Sequence, residues 1–217
     1  MLVLAFDTAT PAVTAAIYDG ARVLAESTTI DARRHGELLI PAVQAVLREA
    51  GATPRELTAI VAGTGPGPYT GLRVGLATAQ ALAAAAQVPA YGVGTLDALA
   101  HAAGMSRPFI AATDARRKEV FWARYAADGT REAGPFVDRP HDLPAELPVI
   151  GAGGLMYAEI IGPGRVVQDA PEHPSAGALA AIAAARITAG AELDPPLPIY
   201  LRRPDAQVPG APKRVTA

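Results

Sequence analysis

The chain has no cysteine in its 217 residues, and that absence removes several kinds of chemistry together. Disulfide frameworks, thiolate metal sites and cysteine nucleophiles are excluded, and the composition fits a reducing compartment. An excess of positive charge is missing too. The formal net charge is −2, so no basic field draws in nucleic acid unaided. Any RNA would need another protein to supply most of the phosphate contacts. Long apolar runs are also lacking. The stretch from Leu76 to Ala86 is broken by Thr78 and Gln80 and falls short of the ~20 residues of a bilayer span. Met1-Leu-Val-Leu-Ala-Phe-Asp7 has no basic start and soon meets an acid, so it reads as a strand and not as a signal peptide. A cytoplasmic protein without a membrane segment is the expectation.

What remains suits a packed core. Half of the residues are hydrophobic and 18% are charged, which argues against global disorder. The length fits one large domain or two small ones at roughly 150 residues per domain. Short apolar runs at Leu2–Phe6, Val13–Tyr18 and Arg22–Thr29 read as strands, and Asp19-Gly20 between the last two predicts a type I′ hairpin turn. A helical pattern follows over Glu37–Ala50, with Leu38, Leu39, Ala42, Val43, Val46 and Leu47 on a wide apolar face. Next come a strand at Ala59–Ala62, a glycine-rich turn, a helix over Thr70–Gln87, a strand at Ala90–Val93 and a helix at Leu96–Ala103.

The pattern then partly recurs. Phe109–Thr113, Glu119–Ala126 and Pro135–Asp138 predict a second meander. Val149–Ile150, a helix over Leu155–Ile161, a strand at Arg165–Val167 and a helix over Ala176–Ala189 follow. Antiparallel strands followed by βα crossovers make a mixed sheet flanked by helices. The duplicated order resembles the actin-like ATPase (ASKHA, RNase H-like) α/β fold with a reduced second half. The expected division is 1–105, 106–200 and a proline-rich tail over 201–217, frayed past Asp205.

Gly63-Thr-Gly-Pro-Gly-Pro-Tyr-Thr-Gly-Leu-Arg-Val-Gly75 lies between a predicted strand and a predicted helix, where phosphate loops are found. A Walker loop needs lysine and then Ser or Thr at the helix start; Leu72 and Arg73 stand there. The Gly65, Gly67, Gly71 spacing does not fit a dinucleotide fingerprint. Pro66 and Pro68 remove two backbone donors, and donors are what an anion nest is made of. A rigid structural turn that aims the following helix remains. That helix has one apolar side at Leu72, Leu76, Ala79 and Ala83, and another at Val74, Gly75, Thr78 and Leu82. A helix apolar on two sides is buried on two sides, so one side is expected to face a partner unless the first helix covers it.

Five stretches together carry a resemblance that spans almost the whole chain: Asp7-Thr-Ala-Thr10, Arg34-His35, Gly65-Pro-Gly-Pro-Tyr-Thr-Gly-Leu-Arg73, Asp114-Ala-Arg-Arg-Lys-Glu-Val-Phe-Trp122 and Pro198-Ile-Tyr-Leu-Arg202. Their order is similar to that in the TsaB (YeaZ) family, whose turn reads G-P-G-S-F-T-G-L-R, so Pro68 and Tyr69 depart mildly. The resemblance implies a non-catalytic relative of TsaD that pairs with it through the first two helices. With the TsaE ATPase, that complex places threonylcarbamoyl on the adenosine beside the anticodon of ANN-decoding tRNAs, using ATP and a metal held by the partner. The implied partner interface is His35, Leu38, Leu39, Ala42, Val43 and Val46 on the first helix, with Arg73, Val74, Thr78 and Leu82 on the second. A second copy of this chain is the other candidate occupant. Val74→Glu or Leu39→Glu is expected to break partner binding while leaving the fold intact.

No catalytic residue, metal or cofactor is assigned to this chain itself. TsaD proteins carry two metal-binding histidines where Thr95 and Leu99 stand here, and an aliphatic side chain cannot ligate. The four histidines at 35, 101, 141 and 173 are too scattered for a metal site by local spacing. Asp7 and Thr8 match the first phosphate motif of the actin-like superfamily, Asp114 the second, and the turn at Gly153 the adenosine loop. Together they would be a vestigial nucleotide site. The plainer reading has Asp7 and Thr10 bonding turn amides. A small actin-fold phosphotransferase acting on a metabolite is the alternative function. His35 reads as a capping or interface residue, since no serine or cysteine nucleophile stands in a recognisable arrangement with it.

Overall fold

The structure, a computed structural model, describes residues 1–201. The tail expected beyond Leu201, Asp205 included, lies outside the described residues. Strands β1 (Val3–Asp7), β2 (Ala12–Tyr18), β3 (Val23–Ile30), β4 (Ala59–Gly63) and β5 (Ala90–Val93) form one sheet in the order β3-β2-β1-β4-β5. The meander is antiparallel, and β1, β4 and β5 are parallel. A second sheet repeats the order in shortened form as β8-β7-β6-β9, from β6 (Phe109–Asp114), β7 (Val120–Tyr125), β8 (Arg131–Asp138) and β9 (Val149–Ile150). This is the duplicated actin-like architecture. The strand expected at Arg165–Val167 is not formed; a single parallel bridge from Val166 to Val149 stands in its place. Pro163–Arg165 make a tight helical turn instead.

The central strands are buried on both faces, which explains their nearly continuous apolar sequences. Leu4, Phe6 and Ile60 point to helices α1 (His35–Glu49) and α2 (Tyr69–Ala86). Val3, Ala5 and Val61 point the other way, onto α6 (Ala176–Thr188). Each such Leu, Ile or Phe stabilises the fold by roughly 1.5–3 kcal/mol. The alanines of α6 let it lie close to the sheet, and its start is capped by Ser175 Oγ, which accepts the Ala178 N–H at 3.1 Å. Glu26 on β3 takes bonds from Ser175 Oγ and the Gly177 N–H.

The strands divide at residue 105, but the helices do not follow that division. Helix α3 (Thr95–Ala103) covers the second sheet through Leu96, Leu99 and Ala100. Helix α6, late in the chain, returns to cover the first.

Two local expectations fail for identifiable reasons. The β2–β3 turn is four residues long, not a two-residue type I′ turn, because Asp19 Oδ1 accepts the N–H groups of both Ala21 and Arg22 at 2.8 Å. Gly20 supplies the positive φ of +99°. The single helix expected over Leu155–Ile161 is instead α4 (Ala152–Met156) and α5 (Ala158–Ile161), broken where Tyr157 leaves helical geometry at φ −115°, ψ 24°.

Candidate functional site

The glycine-rich segment follows β4 and starts α2, and its glycines are where another backbone comes closest. A Cβ on Gly67 would strike the Ala9 carbonyl oxygen, and one on Gly71 the Thr8 carbonyl oxygen. One on Gly75 would reach Thr8 Oγ1 at 2.5 Å. Three glycines spaced by four thus seat the turn and the first turns of α2 on the β1–β2 connection. Thr8 seals the contact by donating its hydroxyl to the Gly71 carbonyl at 2.7 Å.

Beneath this contact lies Asp7, fully buried. Its Oδ1 accepts the Ala9 N–H at 2.7 Å, and its Oδ2 accepts the Thr95 hydroxyl at 2.6 Å. Gly63 makes room, since a Cβ there would overlap Asp7 Oδ2. Burial pushes the Asp7 carboxyl above its ordinary range, against the pull of Thr95, Ala9 and His35. Thr10 Oγ1 accepts the Ala12 N–H at 3.2 Å. Asp7 and Thr10 therefore do bond turn amides, and Thr8 spends its proton within the fold.

Of the other members of the expected nucleotide constellation, Asp114 lines a cleft of about 250 Å³ together with Thr8, Thr10, His35, Thr70 and Arg116. Asp114 Oδ1 accepts the Arg116 N–H at 2.8 Å, its Oδ2 lies 3.4 Å from the same guanidinium, and Tyr157 donates to it. Gly153 is not in this cleft lining. It presses onto the backbone of Ala112 and Thr113, where a Cβ would lie 2.9–3.0 Å from carbonyl carbons and an amide nitrogen. Among the described residues, no group of three or more His, Cys, Asp or Glu could hold a metal ion.

His35 opens α1 and its Nε2–H donates to the Thr10 carbonyl at 2.8 Å. It is a tie to the β1–β2 connection and not a cap, because the Arg34 carbonyl itself takes the Glu37 and Leu38 N–H groups.

The ten residues expected at the partner interface divide. Leu39, Ala42, Val43 and Val46 are 1%, 8%, 4% and 0% exposed and belong to the chain's own core. The expectation that Leu39→Glu spares the fold is therefore corrected: it would bury a charge among apolar side chains. Leu38, Val74, Thr78 and Leu82 are half-buried, the first, second and last packed at the edge of the core, with His35 half-buried and Arg73 exposed at the near end. Arg73 stacks its guanidinium 4.0 Å over the Tyr69 ring, and Tyr69 stacks on Tyr200 with centroids 5.5 Å apart. Between α1 and α2 an apolar hollow of about 480 Å³ is lined by Leu47, Leu57, Leu82 and Ala85.

With this geometry in view, the comparisons with known proteins are specific. The family described as "TsaD: tRNA N6-adenosine threonylcarbamoyltransferase" matches residues 22–154. A YeaZ structure from Pseudomonas aeruginosa superposes with a TM-score of 0.78 at 30% identity, covering 92% of this chain and 99% of that one. The chain belongs to the TsaB (YeaZ) family. The Escherichia coli protein named "tRNA threonylcarbamoyladenosine biosynthesis protein TsaB" is 39% identical over 132 residues, 59% of this chain and 56% of that protein. The aligned stretch thus spans about half the length of that TsaB. An uncharacterized Mycobacterium tuberculosis protein is 43% identical across 94% of this chain and 93% of its own length. No helix among the described residues is long and apolar enough to cross a membrane.

Sequence reading missed two features of this TsaB-family site. The bond from Thr95 to Asp7 joins residues 88 positions apart and leaves no local trace. The fit of Gly67, Gly71 and Gly75 against Thr8 and Ala9 did leave one: small residues at a spacing of four on a helix start mark close backbone approach.

Proposed function

We propose that this chain is the non-catalytic scaffold and activator subunit of a tRNA threonylcarbamoyladenosine transferase complex. It pairs with a TsaD-type catalytic subunit through α1 and α2, and the pair recruits a TsaE-type ATPase. ATP, metal and most of the tRNA contacts belong to the partners. The observation that carries this reading is the half-buried set of Leu38, Val74, Thr78 and Leu82 on α1 and α2, with Leu82 also lining an apolar hollow. Interface cores are built of apolar residues such as these. The burial of Asp7 and its bonds to Ala9 and Thr95 support it too, since they give that carboxyl a structural role within the fold.

Reconstitution of tRNA modification with and without this chain tests the proposal. Modification is expected to need it, and Val74→Glu is expected to abolish co-purification with the TsaD-type partner while the far-UV spectrum of the isolated chain stays native. Full modification without the chain would sink the reading. Tight magnesium-ATP binding by the isolated chain, lost on Asp7→Ala, would favour a phosphotransferase instead.

A further inference from the structure

Thr95, the first residue of α3, is wholly buried and joins three segments far apart in sequence. Its hydroxyl donates to Asp7 Oδ2 at 2.6 Å and accepts the Gly65 N–H at 3.0 Å. Its own N–H donates to the Gly65 carbonyl at 3.0 Å. One residue thus holds both polar backbone atoms of Gly65, at the point where the chain takes φ +90° just before the glycines that seat α2. A hydroxyl suits this position, because it donates toward Asp7 and accepts from Gly65 at once. Asp97, two residues on, holds the other lobe separately: it accepts the Tyr125 hydroxyl at 2.8 Å and pairs with Arg131 at 3.3 Å.

We propose that Thr95 is a positioning residue for partner docking. Through Asp7 and Gly65 it fixes the direction in which α2 leaves the sheet, and hence how Val74, Thr78 and Leu82 are presented. This inference rests on the docking reading given above. The glycines hold the helix down, but they bear on its near end alone. The direction of the turn before them is set from below, by Thr95.

The test is calorimetric titration of the full chain with the TsaD-type subunit of the same organism, alongside thermal melts. Thr95→Val keeps the shape and removes the hydroxyl, and its Kd should rise by about tenfold or more. Thr95→Ser restores the hydroxyl and should bind within about threefold of the unaltered chain. Leu99→Ala, in the same helix but packed on the second sheet, should lower the melting temperature and leave Kd unchanged.

Unaltered binding by Thr95→Val overturns the proposal, as does equal weakening by Leu99→Ala at equal loss of melting temperature. Should Thr95→Val not fold, Asp7→Asn decides. It keeps the shape but replaces the acceptor facing Thr95 with a donor, and unaltered binding there is equally fatal. Val74→Glu separates the two levels of the argument. If it binds normally, the docking surface itself is wrong and this inference falls with it. If it fails to bind while Thr95→Val binds normally, only the role of Thr95 is lost.

Discussion

The two halves of the molecule end their first strands in the same way and then diverge. Asp7 closes β1 and accepts the N–H two residues on; Asp114 closes β6 and does the same. In each half a glycine turn after the fourth strand presses on that first-strand end, Gly67 and Gly71 on Ala9 and Thr8, Gly151 and Gly153 on Ala112 and Thr113. The first turn launches an 18-residue helix, and Asp7 is completely buried. The second launches only the five residues of α4, and the Asp114 side chain stays 8% exposed beside an open turn. That turn carries Arg116, Arg117 and Lys118 at positive φ, a conformation that costs roughly 1–2 kcal/mol per residue. The same local device is therefore structural keystone in one half and cleft rim in the other.

The largest test of this contrast is steric. Gly67→Ala drives a methyl into the Ala9 carbonyl oxygen with backbone on both sides, so neither can yield cheaply. A loss of about 3 kcal/mol in denaturant unfolding is expected. Gly153→Ala meets backbone at 2.9–3.0 Å under a short helix that can shift, and about 1 kcal/mol is expected there. A larger loss at Gly153 than at Gly67 would reverse the comparison.

A smaller effect separates the two carboxylates. Asp7→Ala strands the Ala9 N–H and the Thr95 hydroxyl away from water, for about 2 kcal/mol. Asp114→Ala frees the Arg116 N–H at a turn where water can replace the acceptor, so its unfolding free energy should change by about 1 kcal/mol or less. Equal losses would mean that burial is not what distinguishes them.

Much of this was legible because it is local. The bond from Asp7 to the Ala9 amide spans two residues, and β5 and β9 lie at their expected positions because turn residues bracket short apolar runs. Helix α1 begins two residues earlier than expected. Its start has no side-chain cap, so the usual signal of Ser, Thr, Asp or Asn was absent. The fate of α1's wide apolar face was not legible either. Periodicity places Leu38 and Leu39 side by side, but only the packed sheet shows that Leu39 is fully buried and Leu38 only partly. Strand β8 was expected to start at Pro135 and starts at Arg131, since exposed edge residues carry little apolar pattern.

The smallest expected effect is the pH dependence that Asp7 contributes to stability. Burial raises the Asp7 carboxyl above its ordinary value of 3.8, and the bonds from Thr95 and Ala9 and the charge of His35 only partly oppose it. The folded chain therefore holds this proton more tightly than the unfolded chain does. The resulting stability is fully present below 3.8 and is lost as pH rises through the elevated folded value. Other acids, such as Asp19 and Asp31, are lowered by backbone N–H donors and act in the opposite sense, so the whole-chain profile hides the effect. Subtracting the profile of Asp7→Asn isolates it, because every other acid is common to both proteins. Urea midpoints taken from pH 3.5 to 7 should show the unaltered chain losing ground to Asp7→Asn as pH rises. A difference that grows in favour of the unaltered chain with rising pH would mean that hydrogen bonding outweighs burial at Asp7.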